Sequence, residues 1–199
     1  ICTGAKPRKL GIPGEEELLG QGVSYCATCD GPFYRDQEIA VVGGGNTAIQ
    51  EALHLTKFAS KVTVIHRRDT LRATAILQEK AFAEEKIEFI WDAQVSEIIG
   101  NDEGVASLKI QHNDGTTSDL GVTGFFVLIG VAPNNEMLPL EQLETDAGGF
   151  IITDHEMCTK LPGVYAAGDI RSKNSRQIIN AAGDGATAEL SAEHYLSNM

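Results

Sequence analysis

Long apolar runs are missing from this sequence, and none approaches the roughly 20 residues a helix needs to cross a bilayer, so no membrane-spanning segment is expected. A secretory signal is not expected either, because the opening ICTGAKPRKLG carries charges with no hydrophobic block beside them. Cysteine is scarce: 4 in 199 residues are too few for the disulfide framework of a small secreted domain. A reducing, cytoplasmic location is the expectation. Cations are outnumbered, 16 Lys and Arg against 28 Asp and Glu, giving a formal net charge of −12. That balance argues against a nucleic-acid surface and fits a solvated acidic exterior.

Glycine is what the chain has in excess, 21 residues, which points to tight turns or close backbone approaches to a ligand. With 42% hydrophobic and 22% charged residues, the composition is that of an ordinary globular protein. Its length suffices for one large domain or two small ones, each with a real core.

Periodicity organises the chain. EIAVVGGG (38–45) is a β-branched run that ends in glycines. NTAIQEALHLTKFA (46–59) follows with Ile49, Leu53 and Thr56/Lys57 at helical spacing, flanked by Ala48, Ala52 and Leu55. KVTVIHRR (61–68) reads as a strand, ATAILQEKAFAEE (73–85) as a helix and IEFIW (87–91) as a third strand. This β-α-β-α-β alternation builds a parallel sheet with right-handed crossovers, the α/β class. AQVSEIIG and VASLKIQH, then a turn at Asn113-Asp114-Gly115, predict an antiparallel meander. GFFVLIG (124–130) is apolar throughout, as a strand buried on both faces should be. The pattern restarts near residue 135, a predicted domain boundary. FIITD and VYAAGD (164–169) read as strands, and 176–196 as a closing helix.

Gly43-x-Gly45-x-x-Ala48 sits between a strand and a helix, where a dinucleotide-binding turn belongs. There the first glycine makes the turn, the second admits a pyrophosphate, and the small third residue lets the helix pack with its N-terminus aimed at the phosphates. A purely structural glycine turn is the bland alternative. An NAD site would place a carboxylate about 20 residues past the glycines, for the ribose hydroxyls. This strand instead ends in His66-Arg67-Arg68, with Arg72 a turn later. A forked guanidinium suits a phosphate, so NADPH is preferred over NADH, against the alternative of a solvated basic patch.

SYCATCDGPF (24–33) spaces Cys26 and Cys29 as a CxxC pair with Asp30 behind it. Zinc usually needs four ligands, commonly two such pairs, and Cys2 and Cys158 stand alone. A structural disulfide suits a reducing compartment poorly. Redox exchange remains the favoured use, one thiolate attacking a disulfide and the other resolving the mixed intermediate. A thioredoxin fold is another home for CxxC, but here the pair precedes a nucleotide-binding unit in the same apparent domain. Such a pair needs a mediator that takes a hydride and passes electrons to a disulfide, which suits a flavin. Asp30 could then protonate a leaving thiolate; a turn or capping aspartate is its plain alternative.

CATCDG, GGGNTA, HRRDTLRA, VYAAGDI and RQIINAAGDG, in this order, resemble the low-molecular-weight, bacterial-type thioredoxin reductases of the pyridine nucleotide-disulfide oxidoreductases, over essentially the whole chain. The resemblance implies a Rossmann-like FAD/NAD(P)-binding fold, a parallel sheet with an antiparallel meander, plus the C-terminal portion of a second, FAD-binding domain. It implies segments 1–6 (end of a first FAD-domain segment), 7–135 (NADPH domain with the redox pair) and 136–199 (C-terminal FAD-domain segment). It further implies a homodimeric flavoprotein in which electrons pass from NADPH through FAD and the Cys26–Cys29 disulfide to thioredoxin, the NADPH domain rotating against the FAD domain. Mapped onto this sequence, Gly43, Gly44, Gly45, Asn46, Thr47 and Ala48 would line the NADPH phosphates, and His66, Arg67, Arg68 and Arg72 would hold the 2′-phosphate. Gly168, Asp169, Arg176, Gln177 and Ile178 would face FAD. No metal, nucleic-acid or membrane partner is implied.

One departure is large. The family opens with a further strand and GxGxxG loop for FAD, and nothing like it is present in this sequence, so the chain is expected to be an inactive fragment lacking the N-terminal flavin half. Two alternatives remain: a related disulfide reductase with another protein client, and a non-catalytic module that senses NADPH. The intact CATCD speaks against the second.

Overall fold

In the computed structural model, which describes all 199 residues, the chain divides into two units, Arg8–Gly130 and Ile1–Pro7 with Val131–Met199. No helix is long and apolar enough to cross a membrane. The first strand, β1 (Ala5–Pro7), belongs to the second unit.

Unit Arg8–Gly130 is built on a five-stranded parallel sheet. Its members are β2 (Val23–Ser24), β3 (Glu38–Val42), β4 (Lys61–Ile65), β5 (Ile87–Ile90) and, after a meander, β9 (Gly124–Val127). The order is β2-β9-β3-β4-β5, and every pairing is parallel. The strands read as unbroken apolar runs because both faces are covered. Ile39, Val41, Val62, Val64 and Phe126 pack on one side with the helices. Ala40, Val42, Ile65, Phe125 and Val127 pack on the other with the meander. That meander, β6 (Ala93–Asn101), β7 (Gly104–His112) and β8 (Thr117–Gly121), is antiparallel. It closes the crossover from β5 to β9 and turns at Asn113–Gly115, where Gly115 has φ +87°. The α/β class and the predicted meander are both present. Truncating the fully buried Phe126 would open a cavity at a cost of about 3–5 kcal/mol.

Two helices of this unit follow the predicted pattern with shorter ends. α2 (Asn46–Leu55) buries Ala48, Ile49, Ala52 and Leu55, and Lys57 lies past its end, exposed. It stops four residues before residue 59, where Lys57 and Phe58 take tighter three-residue bonds to His54 and Leu55. α3 (Ala75–Ala83) buries only Ala81. The short α1 (Ala27–Asp30) holds the cysteine pair.

In the second unit, β1 pairs antiparallel with β10 (Val131–Pro133). A small core of Leu143, Ile151, Ala166 and Ile170 follows. The closing helix α4 (Ile178–Ser197) buries none of its residues, and Ile178 is 90% exposed. The strands expected at FIITD and VYAAGD are not formed. Only isolated bridges occur, Thr145–Ile151, Ile151–Arg171 and Cys158–Tyr165. Aspartate side chains compete for the backbone in and around FIITD. Asp146 Oδ1 accepts from the N–H groups of Gly148 and Phe150, and Asp154 Oδ1 from those of Glu156 and Cys158.

Candidate functional site

Parallel strands all point their carboxyl ends to one edge, and in open α/β sheets ligands gather there. At that edge lies a cleft of about 690 Å³ whose lining includes Gly43 to Ala48, His66, Arg67 and Arg72. The three glycines serve different ends. Gly43 has φ +147°, and a Cβ there would come within 2.6 Å of Ala48 Cβ and Leu128 O. At Gly44 a Cβ would run into the His66 ring. Gly45 has an ordinary φ of −93°, and its Cβ would meet no protein atom within 4 Å. Its bareness leaves room in the cleft itself, at the start of a ten-residue helix that no side chain caps.

The basic residues reach the cleft because their loop is tied to the glycine turn. Gly44 O accepts from Arg72 N at 2.7 Å and from Ala73 N at 3.1 Å, and Thr74 N donates to Asn46 Oδ1 at 2.8 Å. Asn46 therefore spends its carbonyl oxygen inside the protein. Arg68 does not line the cleft: it is exposed beside Arg67, and its carbonyl accepts from Asp92 N. Neither Arg67 nor Arg72 has an ion-pair partner. Arg8, Lys9, Leu10, Ile12, Gln94 and Gly130 complete much of the wall and went unread in the sequence. Arg8 to Ile12 come from a segment without periodicity, and Gln94 and Gly130 from strand patterns that carry no ligand signal, so only the positive charge of Arg8-Lys9 could have hinted at the wall.

His66 is 6% exposed, and its Nε2 is buried with no hydrogen-bond partner. Burial pushes its pKa below the ordinary 6.5; a backbone bond at Thr70 opposes this, while the charges of Arg72, Arg68 and Arg67 add to it. The imidazole is neutral at pH 7, with an unsatisfied ring nitrogen at the cleft. Unfolded, it takes a proton near pH 6.5; folded, only at lower pH. Between those points the unfolded chain binds more protons, so His66 makes stability fall as pH drops. Replacing His66 with Gln is expected to flatten the decline of melting temperature below pH 6.5. An unchanged slope would mean the folded imidazole is already charged.

Cys26 and Cys29 form a disulfide with Cα atoms 5.3 Å apart. Cys26 is half-buried two residues past β2, and Cys29 is exposed. The sulfur of Cys26 caps α1 by accepting from Cys29 N at 3.2 Å. Closing so short a loop adds only about 2 kcal/mol by loop entropy, which makes a poor structural staple. Buried Ser24 donates to Asp30 Oδ2 at 2.6 Å and accepts from Cys26 N at 3.0 Å. Asp30 is thereby joined to the cysteine backbone through one hydroxyl. β2 lies next to β9, so the disulfide and the cleft share the sheet's carboxyl edge. Cys2 and Cys158 are free.

In the other unit, Gly168 turns at φ +80° and donates its N–H to Asp184 Oδ2 at 3.0 Å. Arg171 and Lys173 pair with the same carboxylate at 2.8 and 3.0 Å. Burial works to raise the Asp184 pKa, but those hydrogen bonds and the Arg171 charge outweigh it and hold it down. Asp184 thus clamps the Gly168–Lys173 turn to α4, a role the sequence did not disclose. Asp169 Oδ1 is buried without a hydrogen bond, Lys173 Nζ standing 3.7 Å away. Arg176 lies 4.1 Å over the Phe150 ring with its Nε buried and unpaired. Gln177 precedes α4 without capping it through its side chain. The three buried, unpartnered side-chain atoms of the chain are those of His66, Asp169 and Arg176. Each is a residue the sequence singled out, and unsatisfied buried polar groups of this kind suit a polar ligand.

A disulfide and a basic, glycine-floored cleft on one parallel sheet define a class of protein, and comparison bears the class out. The family model described as pyridine nucleotide-disulphide oxidoreductase matches residues 1–185, and the chain belongs to that family. Within it, the chain is 50% identical over 200 residues to the thioredoxin reductase of Listeria innocua, covering all of this chain and 62% of that protein. Its fold is similar to a solved thioredoxin reductase from Streptococcus pyogenes, with TM-score 0.94 and 52% identity over 100% of this chain and 65% of the other. A thioredoxin reductase from Giardia duodenalis gives TM-score 0.93 and 41% identity, covering 99% and 65%. The chain spans about 62% of the length of the curated relatives it matches.

Proposed function

We propose that the chain is the NADPH-binding and disulfide-bearing part of a thioredoxin reductase. The observation that carries this reading is the Cys26–Cys29 disulfide on the same sheet edge as a cleft with two unpaired arginines. Unit Arg8–Gly130 would bind NADPH through the Gly43–Ala48 turn, with Arg67 and Arg72 on the 2′-phosphate and His66 beneath. The second unit would contribute Gly168, Asp169, Arg176, Gln177 and Ile178 to an FAD site. The unsatisfied Asp169 Oδ1 and Arg176 Nε support that fit. When bound, NADPH supplies a hydride and FAD delivers its two electrons to a disulfide.

The chain's own residues do the rest. Two electrons and two protons convert the Cys26–Cys29 disulfide to a dithiol. One thiolate attacks a sulfur of the thioredoxin disulfide, and the displaced client thiolate takes a proton, for which Asp30 is the nearby acid. The second thiolate then opens the mixed disulfide, restores Cys26–Cys29 and releases the client dithiol. Free Cys2 and Cys158 fit a reducing, cytoplasmic setting, and a homodimer is part of the proposal. An NADPH sensor would have no need of the cysteine pair or of the Ser24–Asp30 bond.

The test begins with the 199-residue chain, whose single tryptophan, Trp91, lies with its ring 6.4 Å from that of His66. Titration with NADPH should quench its fluorescence saturably, and NADH should do so far more weakly. The absorbance spectrum should show no stoichiometric flavin, since the proposed FAD contacts all come from Gly168 to Ile178. Turnover with thioredoxin is then measured on a longer protein that carries this chain together with a complete FAD site. Absence of saturable NADPH binding would remove the reading, and flavin reduction without any thioredoxin turnover would remove the client.

A further inference from the structure

Glu15 and His66 are the only ionisable side chains in the buried set, and Glu15 is 1% exposed. No cation pairs with it. Three donors satisfy its carboxyl oxygens instead. Oε1 accepts from Leu10 N and from Tyr25 Oη, both at 3.0 Å, and Oε2 accepts from Gly11 N at 2.7 Å. Burying an acid is costly unless such bonds satisfy it, so the arrangement fixes all three donors firmly. Gly11 turns at φ +72°, where few other residues could present that N–H. Burial, then the bond and charge of Glu15, push the Tyr25 phenol up to about 12. The hydroxyl therefore remains a donor across the working pH range.

What Glu15 holds is one wall of the cleft. Arg8, Lys9, Leu10 and Ile12 line it, and Arg8 N donates to Gly130 O at 2.9 Å, just beyond β9. Arg67 and Arg72 follow β4, on the other side of the β3 glycine turn. A dinucleotide with its 2′-phosphate at the β4 end and its pyrophosphate over the start of α2 must extend its other half towards β9. That half meets the wall Glu15 fixes.

We infer that Glu15 is a positioning residue for the nicotinamide half of the bound nucleotide, holding the Leu10–Gly11 wall and tying it through Tyr25 to the residue that precedes Cys26. The inference rests on reading the cleft as an NADPH site. Its test uses two ligands on the full chain, measured by calorimetry: NADPH, and adenosine 2′,5′-bisphosphate, which has the 2′-phosphate but no nicotinamide. Glu15→Gln keeps the size but turns one acceptor oxygen into an amide donor, so at least one of the three donors loses its partner. NADPH should bind about tenfold more weakly, a loss of one charge-assisted bond's order. The bisphosphate should stay within about twofold. Should Glu15→Gln fail to fold, Glu15→Asp retains the charge, cannot reach all three donors, and is expected to give the same split. A purely structural role would weaken both ligands equally, and that outcome, or no change in either, overturns the inference. Wild-type chain that binds neither ligand would instead show that the nucleotide reading beneath it is wrong.

Discussion

In a longer protein that carries this chain together with a complete FAD site, Cys29→Ser is expected to reduce thioredoxin turnover to the assay background while NADPH still reduces the flavin. With a serine at position 29, the lone Cys26 thiolate can attack a client disulfide, but only the displaced client thiolate is left to open the mixed disulfide, and it restores the reactants with no net reduction. A covalent adduct should accumulate only with a thioredoxin whose second cysteine has been replaced. Folding should survive, because the four-residue loop contributes only about 2 kcal/mol and the backbone N–H of residue 29 still meets Cys26 Sγ. Thiol titration of the unmodified chain should find two groups that oxidise and reduce reversibly, while Cys2 and Cys158 stay free. Cys158 is a poor substitute: burial and then the charges of Asp154 and Glu156 push its thiol pKa up, so little thiolate forms. Normal turnover by Cys29→Ser would assign the electron transfer to another group.

The parallel core was legible because its signals are local. EIAVV and KVTVI are β-branched runs, and the intervening helix carries its small and apolar residues on one face. A glycine turn between strand and helix then leaves few alternatives. β2 was not legible. It is two residues long, inside SYCATCDG, and exists only because β9 offers it a parallel neighbour. The cleft wall at Arg8 to Ile12 was hidden for a related reason, since a loop fixed by the distant carboxylate of Glu15 and by Tyr25 leaves no period to detect. At the C-terminal side the error ran the other way. FIITD has strand composition, but Asp146 captures the Phe150 N–H that a ladder would need, and VYAAGD finds only the single bridge of Tyr165 to Cys158. Local hydrogen bonding overrode propensity.

Arg67→Ala and Arg72→Ala are each expected to lower the preference for NADPH over NADH by roughly 10- to 100-fold. A charge-assisted bond to a phosphate contributes about 1.5–3 kcal/mol, and 1.4 kcal/mol is tenfold in affinity. The sequence treated His66-Arg67-Arg68 as one basic cluster, whereas His66, Arg67 and Arg72 line the cleft and Arg68 does not. Arg68→Ala therefore serves as the internal control, with a change of no more than about threefold, the size expected of a screened nearby charge. Because neither Arg67 nor Arg72 is ion-paired, removing either leaves no carboxylate stranded. The melting temperature of the free chain should hardly move, or rise slightly as like charges around His66 are relieved. NADH affinity itself should change little, since NADH lacks the phosphate. The measurement is the pair of dissociation constants for each variant at one fixed ionic strength. If both nucleotides weaken equally, the arginines act on the pyrophosphate or on the turn. If Arg68→Ala matches the other two, selectivity comes from the summed field of the cluster and not from two aimed guanidinium groups.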